Sequence, residues 1–305
     1  MEFEEFKQEI TEGLQKIYGG KADIAVREIV KNNGVKYNGI LIALKDSGYR
    51  AVPTISLDDF YDAFERGRMN MGECIRNIYH AREAYGNEKE TEQFVGEIFD
   101  WEMVKDNVYP VLLSTEENQE IIEKLVSIPV LDLSIVYIIR GELSGGNTGS
   151  VKVSRGLLES YGISSEQLHE QAMENLEKDG YRFRNMNTML KDMGCQEIIE
   201  EAQGTFYGRM RMPEMYVLTN SAGMYGAAGI LNKKLMREFA GGRDFIILPS
   251  STHETIFIPA TDRIDKGFCD EMVSEVNRTA VAAEERLADH SYYYDAEANE
   301  IRMCA

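Results

Sequence analysis

The sequence predicts an α+β fold, on three observations. Apolar residues recur at helical spacing in some segments; in others, runs rich in Ile and Val are bounded by turn residues and read as strands. The two kinds of segment alternate irregularly rather than as a repeated strand–helix–strand unit. The expected layout is an N-terminal helix and hairpin, further helices, and then a C-terminal mixed sheet containing a βαβ-like unit. In the first element Phe3, Phe6, Ile10, Leu14 and Ile17 stand at helical spacing with acids between them. Residues 2–18 therefore form an amphipathic helix that Gly19-Gly20 stops. Two Ile- and Val-rich runs over 22–43 flank Asn32-Asn33-Gly34, residue types that tolerate the positive φ of a tight turn, so a hairpin follows. Ser56, with Asp59 three residues on, has the form of a helix N-cap, and Leu57, Phe60, Tyr61 and Phe64 supply the apolar face behind it. Helix continues to about Met103.

Near Asn107 the texture changes, and the chain is expected to divide into an N-terminal region, 1–105, and a C-terminal domain, 106–305. Residues 108–113 read as a strand and 116–126 as a helix. Strands over 131–140 and 150–154 are joined by a glycine-rich tip, 141–149. Ser164 or Ser165 caps a helix to about Lys178, with Leu168, Ala172 and Leu176 on one face. Further on, 215–219 is a strand, 225–239 a helix closed by Gly241-Gly242, and 245–248 another strand, which makes the βαβ-like unit. Residues 255–258 pair back, 264–287 form a long helix, and 292–294 and 301–303 close as a hairpin around Asn299.

Composition excludes several function classes. The formal charge of −19 opposes a phosphate backbone, and the nearest approach to a basic patch is Arg182 with Arg184 and Arg209 with Arg211, so no nucleic-acid partner is expected. Residues 88–124 hold eleven acids against three lysines, the pattern of solvated helix faces or of a docking surface for a basic partner. The opening MEFEEFKQEI carries acids where a secretory signal carries Lys or Arg, and no apolar run reaches the roughly 18 residues of a membrane span. A cytoplasmic protein is expected. Cys74, Cys195, Cys269 and Cys304 lie far apart without a C-x-x-C pair, which fits reduced thiols and gives no metal site.

The segment 220–232, NSAGMYGAAGILN, followed by 244–256, DFIILPSSTHETI, resembles a family from Firmicutes and related gut bacteria that carries a domain-of-unknown-function label. The resemblance extends over nearly the whole chain. The stretches 107–112, NVYPVL, and 163–176, ISSEQLHEQAMENL, are also distantly similar to YtpQ-type proteins. It implies a bacterial cytosolic protein and carries over no catalytic residues.

Chemistry-bearing residues concentrate in two places. Ser250, Ser251, His253 and Glu254 bring hydroxyls, an imidazole and a carboxylate to the end of an expected strand. A zinc-protease H-E-x-x-H pattern fails there, because the position four residues after His253 is Phe257. A nucleophile elbow fails too, since no G-x-S-x-G surrounds Ser251. Asn220 and Ser221 open a G-x-x-G-x-x-G stretch between a strand and a helix, where backbone N–H groups can hold an anion, but the dinucleotide fingerprint G-x-G-x-x-G is absent. The loop 144–150 is not a P-loop: Lys152 does not follow its last glycine, and a strand comes next. His80, His169 and His290 stand alone on helices or their ends, and Tyr292 to Tyr294 divide between core and solvent.

If 215–219 and 245–248 are parallel strands of one sheet, their trailing loops are neighbours. Asn220, Ser221, Ser250, Ser251, His253 and Glu254 are then expected to gather as a ligand-contact site. The function expected is a noncatalytic binding or regulatory protein, a monomer or weak dimer without cofactor or metal, whose partner is a protein or a small molecule. The alternative is an enzyme with a polar site around His253 and Glu254.

Overall fold

The computed structural model describes residues 1–45, 52, 54–84, 89–143, 147–192, 194, 214–261 and 265–304. Cys195, Arg209, Arg211 and residues 144–146 of the glycine-rich loop lie outside the described residues. The chain divides into two compact units, one of residues 1–104 with 140–150, the other of residues 105–139 with 151–305.

In the first unit α1 (Phe3–Tyr18) starts from a capping box between Glu2 and Glu5 and ends on Gly19 in the left-handed region, whose N–H bonds the Gln15 carbonyl. Phe6, Ile10, Leu14 and Tyr18 recur every four residues and form its buried face. The hairpin of β1 (Ala22–Val30) and β2 (Lys36–Leu44) turns through Asn33 at φ 57°, and β3 (Thr54–Ser56), too short to announce itself in sequence, adds a third strand on β2. Ser56 accepts the Asp59 N–H at the start of α2 (Leu57–Glu65). Next comes α3 (Met71–Ala84), preceded by a reciprocal Asn70–Glu73 box, then α4 (Lys89–Glu97) and α5 (Trp101–Val104). One apolar cluster joins α1 to the sheet and to α3 through Ile40, Ile42, Leu57, Cys74 and Ile78. Arg82 is buried at its edge and donates from Nε to the Ile42 carbonyl at 2.9 Å.

The second unit opens with β4 (Val108–Ser114), α6 (Gln119–Ile122), β5 (Ser127–Val130) and β6 (Leu133–Leu143, of which 140–143 belong to the first unit); β7 (Asn147–Lys152, of which 147–150 belong to the first unit) pairs with β6, and the sheet order is β4-β6-β5. The helix expected over 116–126 shrinks to one turn, because Leu125 bridges to Ser154 and the Val126 N–H bonds the Val153 carbonyl. Helix α7 (Arg155–Tyr161) precedes α8 (Ser165–Lys178), which Ser164 caps. Asn175 fixes α8 by donating to the Lys105 and Val108 carbonyls.

The C-terminal elements are β8 (Arg182–Asn185), α9 (Met186–Asp192), β9 (Tyr216–Thr219), a 3₁₀ segment (Gly226–Leu231), α10 (Lys233–Ala240), β10 (Phe245–Leu248), β11 (Thr255–Pro259), α11 (Lys266–Thr279), β12 (Tyr292–Asp295) and β13 (Glu300–Met303). They form a six-stranded sheet in the order β13-β12-β10-β11-β9-β8. The sequence leads one to expect a mixed sheet with β9 beside β10. Instead β11 returns from β10 by a short loop and inserts between them, so every ladder is antiparallel. The expected helix 225–239 is split, since Tyr225 lies at φ 55°, the Ala227 N–H bonds Thr252, and Asn232 caps a separate α10 through the Leu235 N–H. The expected helix 264–287 ends at Thr279, where the chain folds back and Asn277 holds the Ala288 carbonyl. Both fold-backs are tertiary contacts that helical periodicity does not register. The C-terminal hairpin turns at Asn299, φ 54°, and Tyr292 and Tyr294 point to the core while Tyr293 is half-buried.

Candidate functional site

Because β9 and β10 each run antiparallel to β11, they run parallel to one another with one strand between them. Their carboxyl ends share an edge, and the loops that follow meet there. The Thr219 hydroxyl donates to the His253 carbonyl at 3.3 Å, and the Ala227 N–H bonds the Thr252 carbonyl at 3.2 Å. Gly226 is required at this junction: a Cβ there would run into the His253 carbonyl oxygen and the Thr219 hydroxyl. The six residues singled out by sequence thus come to one edge, although their side chains are differently engaged.

His253 accepts the Tyr225 N–H on Nδ1 at 3.1 Å, and its Nε2 lies 3.5 Å from Glu285 Oε1. Ser251 Oγ accepts the His253 N–H at 3.0 Å, so this hydroxyl serves the turn rather than the imidazole. The buried Asn220 closes its own loop, accepting the Met224 N–H and donating to the Met224 carbonyl and to Asp179. Ser221 donates to the Gly180 carbonyl. Ser250 is buried, with its carbonyl accepting the Leu287 N–H, and Glu254 is exposed. The edge is a bonded corner in which side chains replace missing ladder partners. Among the described residues no group of three His, Cys, Asp or Glu could hold a metal ion.

A pocket of about 270 Å³ lies elsewhere in the same unit, bounded by the β5–β6 turn, the 3₁₀–α10 segment and the C-terminal hairpin. Its body is apolar, with Leu133 from β6, Ile230, Leu231 and Met236 from the second wall, and Ile301 from β13. Tyr292, Tyr294 and Asn299 form one side, while the exposed Lys233 and Glu300 stand at the mouth. A polar clasp holds two of these walls together. Asp132 accepts the Tyr292 hydroxyl at 2.6 Å on one oxygen and faces His290 Nε2 at 2.8 Å with the other, joining residues some 160 apart in sequence. Burial first, and then the Asp132 contact, push the Tyr292 phenol well above its ordinary range. His290 is therefore not a lone histidine, and neither is His169, whose Nδ1 meets the Tyr137 hydroxyl at 3.0 Å.

Nothing in the sequence pattern marks Asp132, Glu285 or the pocket walls. Asp132 follows Leu131, which sits at φ 55°, a conformation a leucine seldom adopts, so the turn is hidden inside what reads as a strand. The one legible signal was the tyrosine run beside His290.

These features define a class: an α+β protein with a closed polar corner, an apolar pocket and an antiparallel C-terminal sheet. The chain belongs to DUF5688, a family of unknown function, whose family model matches residues 3–296. No curated protein and no solved structure matches it.

Proposed function

We propose that the chain is a noncatalytic binding protein whose ligand is a small molecule seated in the pocket between the β5–β6 turn, α10 and the C-terminal hairpin. The observation that carries this reading is a concave, largely apolar site with a few convergent polar groups, the ordinary make-up of a ligand pocket. Its volume of about 270 Å³ lies just below the usual ~300–1,000 Å³ range, which suits a compact metabolite. The alternative, an enzyme around His253 and Glu254, has in its favour the approach of Glu285 to the imidazole. Against it, His253 Nδ1 is committed to a backbone N–H, and the adjacent Ser251 hydroxyl bonds the His253 backbone N–H rather than the imidazole. We take the protein to be bacterial, cytoplasmic and distantly related to YtpQ-type proteins. Among the described residues no helix is long and apolar enough to cross a membrane.

The test uses a neutral apolar probe, 4-methyl-1-pentanol, titrated by calorimetry into the full chain and into Ile301→Trp, which fills the pocket from an edge strand. Saturable binding that the substitution abolishes supports the reading. Binding indifferent to Ile301→Trp overturns it, as does failure to bind both this probe and its charged analogues with the same apolar body.

A further inference from the structure

The mouth of the pocket combines three groups whose hydrogen-bonding or charge capacity is unspent. Asn299 is 7% exposed, and its amide oxygen accepts the Tyr294 hydroxyl at 2.7 Å. Its Nδ2 group, with two donors, has no protein partner among the described residues and is not among their fully buried unpaired atoms, so its donors are open to solvent or to a ligand. Lys233 at the start of α10 and Glu300 on β13 also line the pocket, and neither forms an ion pair among the described residues, with the other or with a third group.

A ligand with an apolar body and a single negative head would meet Lys233 and the Asn299 donors favourably but would also meet Glu300 and the protein's net charge of −19. A ligand with a single positive head would find Glu300 and be opposed by Lys233. One head chemistry satisfies all three groups, a carboxylate and an ammonium side by side. We propose that the pocket binds a free α-amino acid with an apolar side chain, its carboxylate toward Lys233 and Asn299 Nδ2 and its ammonium toward Glu300. The side chain fills the space between Leu133, Ile230, Met236 and Ile301. This inference rests on the pocket being a ligand site, and it adds the identity of the head group.

The experiment compares four probes by calorimetry on the full chain: L-leucine, 4-methylpentanoate, which lacks the ammonium, 3-methylbutylamine, which lacks the carboxylate, and the neutral 4-methyl-1-pentanol. L-leucine is expected to bind at least about tenfold more tightly than each of the others, a ratio equivalent to about 1.4 kcal/mol. Lys233→Met should erase the advantage of L-leucine over 3-methylbutylamine, and Glu300→Gln its advantage over 4-methylpentanoate. Both positions are exposed, so folding is retained. Equal binding of all four probes overturns the head-group inference and leaves the pocket reading standing. Failure of all four to bind overturns both.

Discussion

Removing the Tyr292 hydroxyl isolates one oxygen of the clasp that ties the C-terminal hairpin to the β5–β6 turn. The ring of Tyr292 is fully buried, so Tyr292→Phe keeps the packing and deletes only the 2.6 Å bond to Asp132. A hydrogen bond to an ionised group contributes about 1.5–3 kcal/mol. The Asp132 side chain is 42% exposed, so water competes for the carboxylate and the lower end applies, about 1.5 kcal/mol. For a chain of this size that is a fall in Tm of about 2–3 °C. The assay is urea unfolding followed by circular dichroism on Tyr292→Phe, Asp132→Asn and the double variant. The clasp predicts a coupling energy of about 1 kcal/mol, with the double variant little worse than the more damaging single one. Strict additivity within about 0.3–0.5 kcal/mol would refute it.

Buried tyrosines should make the fold labile to base. Tyr137 and Tyr292 keep their protons well above pH 10 because burial disfavours the phenolate, whereas the unfolded chain releases them near pH 10. The unfolded state then binds fewer protons, so stability is full below pH 10 and falls above it by about 1.4 kcal/mol per pH unit for each tyrosine. Tyr161, whose phenol burial pushes up to about 12, adds to the same loss. A urea midpoint that stays level from pH 9 to 11.5 would contradict this. Gly226→Ala should destabilise by about 1–3 kcal/mol, since its methyl group meets backbone at the His253 carbonyl, and an unchanged midpoint would show the corner to be slack. His253→Ala should lower stability by about 1–2 kcal/mol by leaving the Tyr225 N–H without its acceptor, and should leave L-leucine affinity unchanged. Loss of affinity in that variant would move the site back to the polar corner. A chelator should leave Tm unchanged; a drop of many degrees would reveal a structural metal.

Much of the fold was legible where local signals and tertiary structure agree. The helical spacing of Phe6, Ile10 and Leu14, the Asn32-Asn33-Gly34 turn, the Ser56 and Ser164 caps and the Asn299 hairpin are all local statements, and each appears in the structure, whereas Ile17, expected on the same apolar face, is exposed and Tyr18 is buried in its stead. The sheet order was not legible, because the insertion of β11 between β9 and β10 is a pairing between distant segments. Even so, the two strands remain parallel, and the Asn220 and His253 loops meet as expected. Their bonding was not readable: polar residues at a strand end serve a ligand or the backbone equally well, and in the folded chain Asn220 and Ser251 serve the backbone. The pocket left still less trace. Its walls come from three separated segments, and Leu, Ile and Met side chains give no sign in sequence of whether they face core or cavity.

The central claim, a small-molecule seat under the C-terminal hairpin, is tested most directly by methyl NMR of the full chain during titration with L-leucine. Saturable shifts concentrated on the methyl groups of Leu133, Ile230, Leu231, Met236 and Ile301 are predicted, with the methyls beside Asn220 and His253 left in place. Shifts centred instead on the Asn220–His253 corner, or no saturable shift at the pocket methyls, would contradict it.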